Sequence, residues 1–268
     1  MPMIEQILPT PRLRLGDIAD SLRSGLATFR AIPGVSSAYA AIFTLFGLAL
    51  LSAVTAFGFS PMALPFAAGF MLVGPVLLTG FFELRRRLYG GTRPTLTAAL
   101  GAFTRAPGGL WLIAALCAFL FLIWITDAGV LYSFLVGGQI ESEGFAWLSA
   151  LRRELGHFYL WGSLSGSVLA FMIFTVSAFS VPLIHDARAN ASTAIHASVR
   201  SVLGNFFVCL AWGLLLGITV VGSVMLLPLL PLVLPIMAYA SHALYERAFP
   251  AIEHPADLDA GARQKDSQ

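Results

Sequence analysis

The chain is built from long apolar runs separated by short segments that hold nearly all of its arginine. The runs cover residues 35–59, 62–82, 110–132, 158–184, 207–227 and 232–247. A helix rises about 1.5 Å per residue, so about 20 apolar residues cross the roughly 30 Å hydrocarbon core of a bilayer. Inside that core every backbone amide and carbonyl needs an internal partner, and a single apolar run meets this need only as a helix. The expected fold is therefore all-α: a polytopic membrane protein with about six transmembrane helices plus amphipathic interfacial helices. Composition agrees. Hydrophobic residues make up 57% of the 268 and charged residues 11%, with a mean hydropathy of +0.82. Soluble domains carry about 25% charge.

Between the runs lie stretches with helical amphipathic spacing. In 17–32, Ile18, Leu22, Leu26 and Phe29 share one face, Asp17 is placed to cap the start, and Pro33-Gly34 ends the stretch. Such a helix either lies in the membrane interface or packs on the protein's own cytoplasmic face. In 95–104 the stripe is Leu96, Leu100 and Phe103, and Pro107 breaks it. Trp147, Leu148, Leu151 and Leu155 suggest a third surface helix on the opposite side, after a polar loop with Glu141 and Glu143. A fourth covers 187–205, with Ile195, Val199, Val202 and Phe206 in its stripe. Pro65, Gly74 and Pro75 would let the second run bend. Glu83 and Arg85-Arg86-Arg87 read as the loop that follows it.

Arginine sets the orientation. With the N-terminus inside, the inner segments hold Arg12, Arg14, Arg23, Arg30, Arg85, Arg86, Arg87, Arg93, Arg105, Arg188, Arg200, Arg247, Arg263 and Lys265. The outer segments hold only Arg152 and Arg153. Cytoplasmic loops accumulate such cations. The expectation is six spans in a bacterial inner membrane with both ends cytoplasmic. Residues 1–34 form a cytoplasmic tail with an interfacial helix, 35–249 a six-span membrane domain, and 250–268 a disordered cytoplasmic tail. The first thirty residues lack the apolar core and cleavage site of a signal peptide.

Few residues can carry chemistry. Asp127 follows Trp124-Ile125-Thr126 near the outer end of the third run, where a carboxylate can cap a helix end or hold a proton or cation. Of five histidines, His242 alone lies in a run. A haem or copper core needs facing ligands within the bilayer, so this chain alone does not build one. His185, Asp186 and His196 could meet in a cytoplasmic metal site, although their spacing matches no metal motif and a solvated helix face is the plainer reading. Arg200, one turn beyond His196, completes the polar positions worth testing. Cys117 and Cys209 both sit in apolar runs, as small hydrophobes rather than as a disulfide. Gly162 with Gly166 and Gly213 with Gly217 allow close helix approach. Phosphate loops, paired acids and nucleophile elbows are absent, so no catalytic residue, cofactor or metal is expected, and no nucleic acid.

Two units echo each other: run, arginine segment, run, and then run, polar helix, run. Thr97 to Arg105 and Thr193 to Ser201 match loosely, in a parallel rather than inverted sense.

Residues 179–186 (Phe-Ser-Val-Pro-Leu-Ile-His-Asp), the helix over 194–200, Asn205 and the ending Ala240-Ser241-His242-Ala243-Leu244-Tyr245 together resemble a family of bacterial integral membrane proteins of unknown function. Its members often carry the label of cytochrome c oxidase subunits. The family's last span typically reads Gly-His-Ala-Thr-Trp-His-x-Tyr-Arg. Here Ala238 and Tyr239 take the Gly-His places, His242 the Trp place and Ala243 that of the second His.

Three functions stay open. The first is a non-catalytic accessory, scaffold or assembly protein with a membrane-protein partner or a second copy of itself. The second is a small-molecule or ion transporter or channel. The third, which only the resemblance implies, is an accessory subunit of a respiratory oxidase.

Overall fold

The computed structural model describes residues 11–56, 63–135, 146–225 and 229–250. These are helical throughout, with no strand among them. In chain order the helices are α1 (Leu15–Ala31), α2 (Pro33–Ala56), α3 (Ala63–Tyr89), α4 (Leu96–Thr104), α5 (Gly108–Leu135) and α6 (Ala146–Ser177). They continue with α7 (Ser180–His185), α8 (Ala191–Gly204), α9 (Phe206–Met225) and α10 (Leu230–Ala248). The tail from residue 251 and the polar loop with Glu141 and Glu143 lie outside the described residues.

Several expected boundaries move, each for a local reason. Asp17 is not the N-cap of α1. It sits in the first turn and accepts a 2.7 Å hydrogen bond from the Arg14 amide, a donor that a helix start leaves free. The arginine loop is the last part of α3. Glu83 accepts from Arg86 and Arg87 at i+3 and i+4, pairs that hold a helix together, and the helix stops only at Gly90-Gly91. Gly91 has φ +69°, which glycine adopts without strain. The surface helix expected around Trp147 is the beginning of the continuous α6.

The fourth run does not reach Ile184 unbroken. Pro182 has no amide to offer the Ala178 carbonyl, and the chain turns at Ala178-Phe179 before α7. Ser198 of α8 repairs this break. Its hydroxyl donates to the Thr175 carbonyl at 2.8 Å and accepts from the Phe179 amide at 3.2 Å. α8 starts at Ala191, later than expected, because Asn190 caps the Thr193 amide at 2.9 Å. Thr95 does the same for α4 through the Ala98 amide.

Two helix pairs are sharply bent, α1 with α2 by 98° and α8 with α9 by 104°. α1 packs on the protein. Its fully covered face is not the apolar stripe but the small residues Ser21, Gly25 and Thr28. A Cβ at Gly25 would come within 2.6 Å of the Ile236 carbonyl oxygen, so the backbones of α1 and α10 nearly touch. Likewise a side chain at Gly80 of α3 would collide with the Tyr39 ring of α2. Gly166 of α6 lies under the Trp124 indole of α5, and Gly213 of α9 lies under the Phe174 ring, so these two glycines serve packing within the chain.

The core holds hydroxyl groups that satisfy one another. Ser36 and Tyr239 are 2.6 Å apart, and Tyr39 donates to the Leu77 carbonyl at 3.0 Å. Large apolar side chains point outward instead: Leu45, Phe46, Phe119, Leu160, Leu164, Phe207 and Ile218 are each more than half exposed. An apolar surface this extensive is stable in lipid and not in water. Among the described residues, Gly108–Asp127 and Leu160–His185 are long and apolar enough to cross a membrane, and each bent pair adds one more, for up to four. α10 falls outside this count because His242, Glu246 and Arg247 crowd its last turns.

A candidate functional site at the charged end of the bundle

Charged residues of α1, α3 and α10 meet at one end of the molecule. Arg247 of α10 donates to Asp17 at 3.0 Å and Asp20 at 3.3 Å on α1. Arg85 of α3 donates through Nη2 to Glu246 of α10 at 2.5 Å. The Leu13 amide, just before α1, donates to Asn205 Oδ1 at the α8–α9 bend, 2.7 Å away. The start of α1, the last turns of α3 and α10 and the α8–α9 bend therefore share one face.

At its centre is His242. Nδ1 faces the Arg85 Nε at 3.4 Å and Glu246 Oε1 at 3.3 Å, and Nε2 faces Asp186 Oδ2 at 3.7 Å. The imidazole thus bridges a carboxylate of its own helix, four residues on, and one from the turn after α7. Phe82 of α3 is wedged between the two histidines, its ring 4.7 Å from that of His242 and 5.5 Å from that of His185. Arg188 seals the rim. It donates to the Tyr245 hydroxyl at 3.2 Å and to the carbonyls of Phe249 and Pro250, tying the end of α10 to the turn after α7. Ala187, at the tip of this turn, has φ 54°, a conformation that a β-carbon resists.

Electrostatics follow from the contacts. Burial raises the pKa of Asp186, but hydrogen bonding and charge from His242 outweigh this and hold the carboxyl below its ordinary range. Glu83 behaves alike: burial raises its pKa, and the hydrogen bonds from Arg87 and Arg86 more than reverse it.

The six positions singled out from sequence do not form one site. His185, Asp186 and His242 come together. His196 and Arg200 lie exposed on α8, and His196 does not join His185 and Asp186 in a metal-binding group. No group of three or more His, Cys, Asp or Glu suited to a metal ion occurs among the described residues. Asp127 is far along α5, with Oδ2 buried and unpartnered. Trp124 Nε1, one turn earlier, is in the same condition. Arg85, Glu246, Arg188 and Tyr245 are members of the cluster that pattern reading missed. For the first two the available signal was a charge at the end of an apolar run, where a neighbouring run could supply its partner.

A helical bundle with an apolar outer belt and its charges gathered at one end is a polytopic integral membrane protein. Residues 62–186 match the model of a family described as a predicted integral membrane protein (DUF2189), whose molecular function is unknown. That segment runs from α3 through the His185-Asp186 turn and contains the 179–186 motif behind the resemblance. The description concerns the membrane and not an oxidase. The chain matches no curated protein and no solved structure.

Proposed function

We propose that the protein is a non-catalytic accessory or assembly protein of a bacterial inner membrane, with six spans and both ends cytoplasmic. The observation behind this reading is the meeting of helix ends at the charged face. Contacts join the start of α1 to the end of α10, the end of α3 to α10, and the α8–α9 bend to the segment before α1. Chain that leaves this face must return to it, so α2–α3, α5–α7 and α9–α10 act as three hairpins. The face is also the arginine-rich one, which favours the cytoplasm. The cluster is largely satisfied within itself, and Arg23 and Arg86 present side chains 80% and 73% exposed to a partner. His196 and Arg200 are likewise exposed, on α8. Cross-linking in cells followed by purification in mild detergent tests the role. The expected result is one stoichiometric membrane partner that is lost when Arg86 and Arg200 are both changed to Glu. A clean single species, or a partner indifferent to the charge reversal, overturns it.

A second reading, a small transporter, draws on Asp127. A buried carboxylate oxygen without a hydrogen-bond partner, beside an equally unpartnered indole N–H, is costly unless it is used. Proton- or cation-driven uptake into proteoliposomes that Asp127→Asn abolishes would support it. An Asp127→Asn protein indistinguishable from the wild type would remove it.

A further inference from the structure

A cavity of about 330 Å³ lies between α3, the α6–α7 break, α9 and α10, walled by Pro75, Phe82, Phe174, Ala178, Trp212 and Ser241. Its volume falls within the range of small-molecule pockets, and its lining is almost wholly apolar. Pro75, inside α3, and Pro182, in α7, both border it. Along α3, Gly74, Leu78 and Phe82 line the cavity at helical spacing, and Arg85 is the next position of that stripe, about 4.5 Å further along the axis. Along α10, Ser241 lines it and His242 follows.

Arg85 is buried, with its side chain only 8% exposed. Its guanidinium holds Glu246 through Nη2, faces His242 through Nε and lies over the Tyr89 ring at 4.8 Å, while Nη1 is buried with no hydrogen-bond partner. A guanidinium edge that is buried without an acceptor is suited to a carboxylate or phosphate oxygen. Glu246 and Asp186 are the nearby negative charges. Both already have cationic or imidazole partners, and Glu83 is taken up by Arg86 and Arg87.

We propose that this cavity takes the hydrocarbon chain of an anionic amphiphile whose head group rests on the free edge of Arg85. The chain displaces nothing polar from the apolar walls, and the head group supplies the acceptor that Nη1 lacks. The shared chemistry is an acyl chain with one acidic head. A free fatty acid and an anionic phospholipid are its two sources. The inference does not rest on the accessory role.

Photo-crosslinking of the full chain in mild detergent tests it, with three diazirine probes: palmitic acid, phosphatidylglycerol and, as zwitterionic control, phosphatidylcholine. The expected result is cross-links on cavity-wall residues about tenfold more abundant with an acidic probe than with phosphatidylcholine. Palmitic acid or phosphatidylglycerol as the stronger probe identifies the source. Gly74→Phe should abolish these cross-links. Gly74 lines the cavity and a Cβ there would meet nothing within 4 Å, so the backbone admits a side chain at this position. Arg85→Gln should bring the acidic probes down to the control, and Arg85→Lys should keep most of the preference. Each variant is first shown to be monodisperse by size exclusion. Equal labelling by all three probes, or labelling indifferent to Gly74→Phe or Arg85→Gln, overturns the proposal.

Discussion

Glu83 is nearly buried, yet its charge is held by two arginines of its own helix, of which Arg86 is mostly exposed. Its pKa in the folded protein lies below the ordinary 4.5. A carboxyl depressed in this way adds stability that is fully present above its unfolded pKa and is lost as the pH falls through the folded value. Asp186 is shifted in the same direction and adds to the effect. Thermal unfolding in detergent should therefore show the wild type losing stability below about pH 4.5. Glu83→Gln should be less stable than the wild type at neutral pH, and the gap should narrow in acid. A pH-independent gap would mean that the Glu83 charge does not matter. The i+3 and i+4 spacing is present in the sequence, yet the segment reads there as a loop. These residues extend α3 instead, and the stop signal at Gly90-Gly91 lies several residues later.

At the scale of elements, small residues do more than the apolar stripes. The four apolar stripes were legible in the chain; three lie on one helix each, and the fourth ends with Phe206 on α9, beyond the α8–α9 bend. In α1, however, the deeply packed face is Ser21, Gly25 and Thr28, which no hydrophobicity pattern marks. Gly25→Leu would drive a side chain into the α10 backbone at Ile236 and Ala240. Overpacking of this kind costs about 1–3 kcal/mol, or more where backbone must move. A lowered melting temperature together with faster proteolysis after Arg14 is the expected outcome, and unchanged values would show that α1 does not clamp α10. Asn205 is the second clamp. Its Oδ1 accepts from the Leu13 amide, and its Nδ2 donates to the Ser201 carbonyl at 3.1 Å. Asn205→Ala leaves the Leu13 donor unmet in a buried position, at a cost of about 1–3 kcal/mol. The same protease should then cut near the N-terminus without lowering the melting temperature as far as Gly25→Leu does.

For the whole molecule, the sidedness follows from where the helix ends meet. Thr92, after α3, and Ala189, before α8, should lie on one side of the membrane. With the native Cys117 and Cys209 both buried, single cysteines at these sites can be read with a membrane-impermeant maleimide. Labelling in inverted vesicles but not in intact spheroplasts is expected at both positions. Opposite labelling of the two would break the hairpin scheme.

The apolar runs, their helical state and the membrane as solvent were all written in local pattern, because lipid leaves a backbone one way to satisfy itself. The union of His185, Asp186 and His242, the unfilled edge of Arg85 and the cavity behind Phe82 had no local signature. Each depends on residues far apart in the chain, as Arg85 and Glu246 are, brought together by close helix contacts. Those contacts are set by glycines and serines, whose smallness matters only once a second backbone lies against them.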